Sequence, residues 1–337
     1  MKSPRTFQAL AVAVCLAAGI TMTNAAITID LVNVGNAGNA PDTTGYGAVA
    51  YDYAIGKYEV TNGQYTAFLN AADPNGTNPN GIYNSNMRTD LNVAGINFTP
   101  GLATGSKYAV LGSANRPITY VSWFDAARFS NWMANGQGSG STETGAYTLN
   151  GATSGVGFTK NAGATFWIPS EDEWYKAAYN QPETMGGPAD NYWLYPTQSD
   201  SAPGNVIGSG VNQANYYAGD YSVTQSSNYS SSQNYLTDRG AFSSSASFYG
   251  TFDQGGNAWE WNDAVISGSY RGLRVGSWAG PGPNSNLQSS NRNSLTPDGL
   301  HSDVGFRVAS IPEPSTVGLI VLAGAGWLVW KRRNAAL

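Results

Sequence analysis

Apolar and polar residues alternate from Ile27 to Val34 and again from Val49 to Val60, which predicts a first strand and then a second strand or hairpin arm. The stretch between them, residues 33–46, is rich in Gly, Asn, Asp and Thr and reads as loop. The period then changes. Thr61 is placed as a helix N-cap, Tyr65, Phe68 and Leu69 share one helical face, and the Pro and Gly of residues 73–80 end that helix. Arg116 to Trp123 predicts a short strand that runs into a cap. Phe124 to Met133 carries Ala126, Phe129, Trp132 and Met133 at helical spacing. After a Gly/Ser/Thr-rich connection over residues 137–157, Phe166–Pro169 leads to a third helix. Ser170 and Glu173 are spaced as a capping box, and the helix continues through Trp174, Ala177 and Ala178. Residues 191–247 hold few aliphatics and many Ser, Asn, Gly and Tyr. They read as long loops with short strands inside the same domain, which are sustainable only if ions or aromatic packing tie them down. Val304 to Ala309 predicts a last strand.

One stretch stands apart from this pattern: Gly255-Gly256-Asn257-Ala258-Trp259-Glu260-Trp261. Two glycines allow a tight backbone path. In an extended segment Trp259 and Trp261 point one way and Ala258 and Glu260 the other, so one side can anchor in a core while the other offers oxygens. Asp253, just upstream, adds a carboxylate, and hard cations such as calcium take several oxygens of this kind, backbone carbonyls included. Read locally, the same residues are more often a glycine turn before a buried aromatic strand.

The ends of the chain differ from its middle. Lys2 and Arg5 precede an apolar run from Ala9 to Ile20 and small residues at Ala25 and Ala26, the pattern of a secretory signal peptide over residues 1–26. At the other end come Pro312-Glu313-Pro314, an uncharged, mostly apolar run from Ser315 to Trp330, and Lys331-Arg332-Arg333. That run is slightly short for a spanning helix of about 20 residues, and its basic end should stay cytoplasmic. Setting aside the charges of both ends leaves 12 of 17 basic and 21 of 22 acidic residues, a net charge of −9 over residues 27–310, which argues against nucleic acid and anionic membrane surfaces as partners. Cys15, inside the signal, is the only cysteine and His301 the only histidine. The exported domain therefore has no disulfide, thiol nucleophile or multi-histidine metal centre of its own, and at most one histidine base.

The C-terminal pattern resembles the PEP-CTERM sorting signal of Gram-negative bacteria. This implies recognition by an exosortase, removal of the tail (residues 311–337), and delivery to the cell surface or matrix, with contact with the membrane only through the apolar helix before processing. Residues 27–310 resemble the formylglycine-generating enzyme, or sulfatase-modifying factor, family in several ordered blocks. These are Ile55–Thr61 with Tyr65 and Phe68; Arg116–Ile118 through Trp123, Asp125, Ala126 and Trp132; Ile168–Trp174 with Ala177 and Ala178; Gly256–Trp261; and Arg271, Gly276-Ser277-Trp278, Arg292 and Gly305-Phe306-Arg307. The fold implied is α+β: a single, loop-rich, C-type-lectin-like domain.

In that family a pair of cysteines holding copper follows the Gly-Ser-Trp/Tyr block. Here the spacing puts Gly280 and Ser285 at the two positions, so the resemblance implies neither sulfatase activation by that chemistry nor copper or iron. The family's calcium site carries over as Asp253, the carbonyls of Gly256 and Ala258, and Glu260. A second calcium site would start at Asn215 and Tyr216, with its later acidic ligand aligned near Gln233 and Asp238 displaced. Trp278, Arg292, His301 and Asp303 fall where the family's cleft residues lie.

Two functions follow as expectations. The first is a non-catalytic module that binds exopolysaccharide or surface proteins, with Trp193, Tyr217 and Trp278 as the exposed platform and Trp123, Trp174, Trp259 and Trp261 in the core. The alternative is an enzyme with altered, metal-dependent oxidative chemistry around Ser285, Arg292, His301 and Asp303. In a third reading, a purely structural matrix protein, the domain has no specific ligand at all.

Overall fold

The computed structural model describes residues 26–280 and 286–312. Its strands are β1 (Leu31–Val34), β2 (Tyr53–Gly56), β3 (Ile96–Phe98), β4 (Tyr108–Val110), β5 (Phe166–Trp167), β6 (Gly208–Val211), β7 (Phe242–Ser244), β8 (Trp259–Ile266), β9 (Tyr270–Arg274), β10 (Asn293–Leu295), β11 (Val304–Gly305) and β12 (Ala309–Ser310). The helices are α1 (Asn62–Ala72), α2 (Asn86–Thr89), α3 (Trp123–Ala134) and α4 (Glu171–Tyr179). Helices are interspersed among strands whose pairing is mostly antiparallel, and most of residues 191–247 is irregular, so the class is α+β and loop-rich.

The three long helices start where the sequence places their caps. Thr61, Ser122 and Ser170 each accept from the backbone of the residue three positions on, and Gln64, Asp125 and Glu173 reach back to complete a capping box. Each cap is worth about 1 kcal/mol. The buried face of α1 (Tyr65, Phe68, Leu69) meets α3 through Phe129 and Trp132, with ring centroids 5.2–6.1 Å apart, and Phe306 closes the group from the end of the chain.

Two four-stranded sheets share that core, in the orders β1-β2-β12-β5 and β10-β9-β8-β11. The first is antiparallel throughout; in the second only the β11–β8 pairing is parallel. The strand expected over Val304–Ala309 is two strands in different sheets. Phe306–Val308 cross between them, with the Phe306 and Val308 carbonyls accepting from Val60 and Gly56. Gly305 sits where an added Cβ would come within 2.5 Å of the Ile118 carbonyl, so the crossing is too close for a side chain.

Other expected strands are shorter than their alternation suggests. The first begins at Leu31, and the second covers only Tyr53–Gly56. Arg116–Trp123 is not a strand: it keeps one isolated bridge, Pro117 to Thr61, and then Tyr120 turns with φ 58°. Tyr120 gives its N–H to the His301 carbonyl there, so tertiary pairing overrides the local β propensity. Among the described residues no helix is long and apolar enough to cross a membrane. The signal peptide, apart from Ala26, and the apolar run Ser315–Trp330 lie outside the described residues, as do Glu313 and Pro314; Pro312 is exposed.

Candidate functional site

The glycine-tryptophan stretch is the junction of the molecule. Gly256 has φ 94°, and a Cβ on it would come within 2.2 Å of the Asn215 carbonyl, so only glycine fits. That close approach lets Asn215 accept from Asn257 N–H at 2.7 Å. The buried Asn257 side chain then joins three segments. Its Nδ2 donates to Glu59 at 3.0 Å, and its Oδ1 accepts from Asn215 Nδ2 at 2.9 Å and from Thr237 N–H at 3.1 Å. Its carbonyl accepts from Trp278 N–H at 3.0 Å.

The sequence led us to expect one face of β8 to offer free oxygens. Instead both faces are buried: Trp261 and Glu260 are each fully enclosed. Glu260 is gripped by Arg307, which donates from Nε and Nη2 at 2.6 Å each, while Trp174 Nε1 donates to Oε2 at 2.7 Å. Three donors on one carboxylate explain how a buried charge is tolerated here.

The family's calcium can be tested against this geometry. Asp253 uses Oδ2 to accept from Gly240 N–H at 2.8 Å and leaves Oδ1 without a partner among the described residues; Glu260 Oε1 accepts only from Arg307. Glu59, Asp253 and Glu260 face the single guanidinium of Arg307. Burial, reinforced by the neighbouring carboxylates, raises Glu59 well above the usual range, and burial raises Asp253 to about 6. Ionising all three carboxyls around one guanidinium is therefore costly, a cost that a further cation would relieve, and the pocket keeps acceptor sites free. That fits a divalent ion bound partly by carbonyls, although no cluster of three or more His, Cys, Asp or Glu ligands occurs among the described residues. The second expected site fits less well. Asn215 Nδ2 donates to the Tyr235 carbonyl and to Asn257, and the Tyr216 carbonyl accepts from Ser222, so both act as cross-links; Gln233 donates to the Asn234 carbonyl.

Trp278 leads from this junction to the surface. It was expected on an exposed platform, but it is buried and stacks on Tyr235 at 5.0 Å with an interplanar angle of 5°. Tyr229 stacks on the other partner of that pair at 5.9 Å and 13°, and is 57% exposed. Tyr221 lies 4.4 Å from Tyr235, and Tyr217 4.8 Å from Tyr221. The rings form a tier from core to solvent. Asn92 fixes it: its amide donates to the carbonyls of Ser230 and Gln233, its Oδ1 accepts from Tyr229 Oη at 2.5 Å, and its carbonyl accepts from Tyr235 N–H. The backbone entering Trp278 is strained, with Val275 at φ 88°, a conformation a β-branched residue rarely adopts. Sequence composition marked this region as tyrosine-rich but could not pair its rings, because the partners are spread from Asn92 to Trp278.

The other expected cleft residues do not form one constellation. Ser277 Oγ donates to Asp303 at 2.8 Å, and Tyr120 Oη donates to Asp90 at 2.6 Å beside the tier. His301 is exposed and meets Tyr120 through its carbonyl, with no side-chain hydrogen bond among the described residues. Arg292 lies elsewhere, paired with Glu171 at 2.6 Å and over the Tyr46 ring at 5.3 Å. Trp193 is half-buried and donates to Gln181.

Residues 14–311 match the family model described as the sulfatase-modifying factor enzyme 1-like domain. The chain belongs to this family. Residues 310–333 match the PEP-CTERM protein-sorting motif, which marks the chain for exosortase-dependent export to the surface of a Gram-negative bacterium. No curated protein matches it in sequence. Among solved structures, it is similar to the Treponema denticola variable protein 1 (18% identity, TM-score 0.46, covering 86% of this chain and 98% of the other). It is also similar to CarF (21%, 0.47, 85% and 99%) and to PvdO from Pseudomonas aeruginosa (17%, 0.43, 84% and 92%). Of the two residues expected from spacing at the family's cysteine positions, Gly280 donates its N–H to the Ser277 carbonyl at 3.1 Å and has no side chain to offer; Ser285 lies outside the described residues.

Proposed function

We propose that this sulfatase-modifying-factor domain is a non-catalytic binding module of the cell surface or matrix, and that it takes exopolysaccharide on the tyrosine tier. The observation that carries the reading is the continuous stack Trp278–Tyr235–Tyr229, whose outermost ring is exposed while its base is locked in the core. A sugar ring lays its apolar C–H face on such an aromatic surface, and a pre-stacked platform loses little side-chain entropy on binding. Asp90 at its edge supplies carboxylate oxygens that accept from sugar hydroxyls, and the Tyr120 oxygen, whose proton goes to Asp90, accepts from another. The acidic surface favours neutral over polyanionic chains. The absence of any cysteine after Cys15 supports the non-catalytic part of the proposal.

Calcium belongs to the same proposal, held by Asp253 and Glu260 with the carbonyls of Gly256 and Ala258. There it offsets the cost of ionising carboxyls buried around one guanidinium and stiffens the junction that carries Trp278. Chelation is expected to lower the melting temperature of the native protein, and Glu260→Gln to remove that response; an unchanged melting curve under chelation sinks the calcium site. For the ligand, the test is co-sedimentation with purified neutral exopolysaccharide. Retention by the wild type and its loss in Tyr221→Ala/Tyr229→Ala is expected. Equal retention by the double variant contradicts the proposed face.

A further inference from the structure

A separate cavity of about 270 Å³ opens beside the start of α3, lined by Asn80, Ser122, Asp125, Arg128, Ser154 and Asp298 among others. Arg128 is fully buried on α3. Its Nε and Nη2 donate to Glu143 at 2.7 and 3.3 Å, and Nη2 also donates to the Ala152 carbonyl at 2.8 Å. Its Nη1 is buried with no hydrogen-bond partner. Buried guanidinium N–H groups are rarely left orphaned, so this one calls for an acceptor that the protein does not provide. Asp125 shows the opposite deficit. Its Oδ2 takes both the N–H and the hydroxyl of Ser122, at 2.8 and 2.7 Å, while Oδ1 accepts nothing among the described residues.

Charge narrows the ligand. Glu143 already neutralises Arg128, and Asp125 with Asp298 leaves the cavity acidic, which disfavours a carboxylate or phosphate; the Arg128 guanidinium disfavours a simple cation. A hydroxyl group satisfies both deficits, accepting from the arginine and donating to the aspartate. Phe124 and Leu300 add an apolar lining for the face of a ring. The volume lies just below the roughly 300–1,000 Å³ of sites for drug-sized molecules, which suits a single ring. We propose that this cavity is a second binding site, for one ring of a neutral polyhydroxylated ligand such as a sugar unit. It is distinct from the tyrosine tier and does not depend on it: the tier can fail as a polysaccharide face while this site stands. The two are neighbours, because Tyr120 packs on the tier and Ser122, two residues on, lines the cavity.

The test is ligand-observed NMR on the full chain, with methyl α-glucoside and myo-inositol as polyol probes and acetate as the carboxylate control. Ser154 and Asp298 are exposed, so Ser154→Trp closes the mouth and Asp298→Asn removes an acceptor without entering the core. Melting temperatures within a degree or two of the wild type check that both variants are folded. Saturation transfer to at least one polyol is expected in the wild type and in Tyr229→Ala. It should disappear in Ser154→Trp and weaken several-fold in Asp298→Asn. No transfer to either polyol, transfer unaltered by Ser154→Trp, loss in Tyr229→Ala instead, or preferential binding of acetate would each overturn the assignment.

Discussion

Residues 53–179 and residues 191–247 are ordered by different means. The first stretch carries the three capped helices and most of the large apolar core, and buried Glu171 and Arg128 are held in ion pairs with Arg274 and Glu143. In the second, the named strands are two short parallel segments, β6 and β7, and the backbone is held by side-chain amides: Asn205 to Asp220, Asn212 to the Ser201 carbonyl, and Asn215 to the Tyr235 carbonyl. Turn and bridge hydrogen bonds add to this, and Tyr217, Tyr221, Tyr229 and Tyr235 pack ring against ring within it. The contrast shows a division of labour. A chain that supplies its own frame can leave a neighbouring region polar and irregular, and that region then presents rings and hydroxyls to solvent rather than hiding them.

The frame should be sensitive to the loss of a single buried charge. Arg307→Ala leaves Glu260 enclosed without its guanidinium and is expected to destabilise by about 3–5 kcal/mol in chemical denaturation. A loss below about 1 kcal/mol would mean that the junction does not depend on this pair.

A smaller effect is expected from Asp125, which burial raises to about 6. An acid whose folded-state value is raised binds its proton more tightly in the folded protein. Its contribution therefore favours folding below about pH 4 and is lost as pH climbs through about 6. Asp125→Asn, which keeps an oxygen for the Ser122 N–H, should flatten the fall in stability across that window by at most on the order of 3 kcal/mol. A pH profile parallel to that of the wild type would show that this carboxyl is not under strain from burial.

Asn257→Ala probes the seam between the two regions. It removes one donor from Glu59 and the acceptor shared by Asn215 and Thr237, for an expected loss of about 1–3 kcal/mol. Hydrogen exchange should quicken around Asn215 and Thr237 more than in α3. Uniform quickening would mean that the two regions unfold as one unit. At the small end, Tyr229→Ala should change stability by less than about 0.5 kcal/mol, because the ring is mostly exposed, while weakening polysaccharide binding.

The frame was largely legible in the sequence because its signals are local. Thr61 as a cap with Tyr65, Phe68 and Leu69 on one face, the helical spacing of Phe129 and Trp132, and the Ser170–Glu173 capping box were enough for α1, α3 and α4 in turn, although the capping partners Gln64 and Asp125 were not foreseen. Where pairing is long-range the reading failed. Nothing in Val304–Ala309 says that two of its residues join β8 and its last joins β2 and β5. Nor does Trp-Glu-Trp reveal that its glutamate is enclosed by an arginine 47 residues later. The candidate site was legible in composition only. Tyr217 was singled out, but Tyr221, Tyr229 and Tyr235 were not, and Trp278 was placed at the surface. Its burial depends on Tyr235 and Val93, to which no sequence periodicity connects it. The Arg128 cavity was not foreseen, since an arginine on the buried face of a helix shows its missing partner only in three dimensions.

The central claim is that the irregular region binds while the frame supports it. Hydrogen–deuterium exchange of the full chain, with and without neutral exopolysaccharide, tests it most directly. The account predicts added protection in peptides covering residues 217–235 and around Trp278, with little change in α1 and α4. Bound polysaccharide that protects the helices and leaves residues 217–235 unchanged would contradict it.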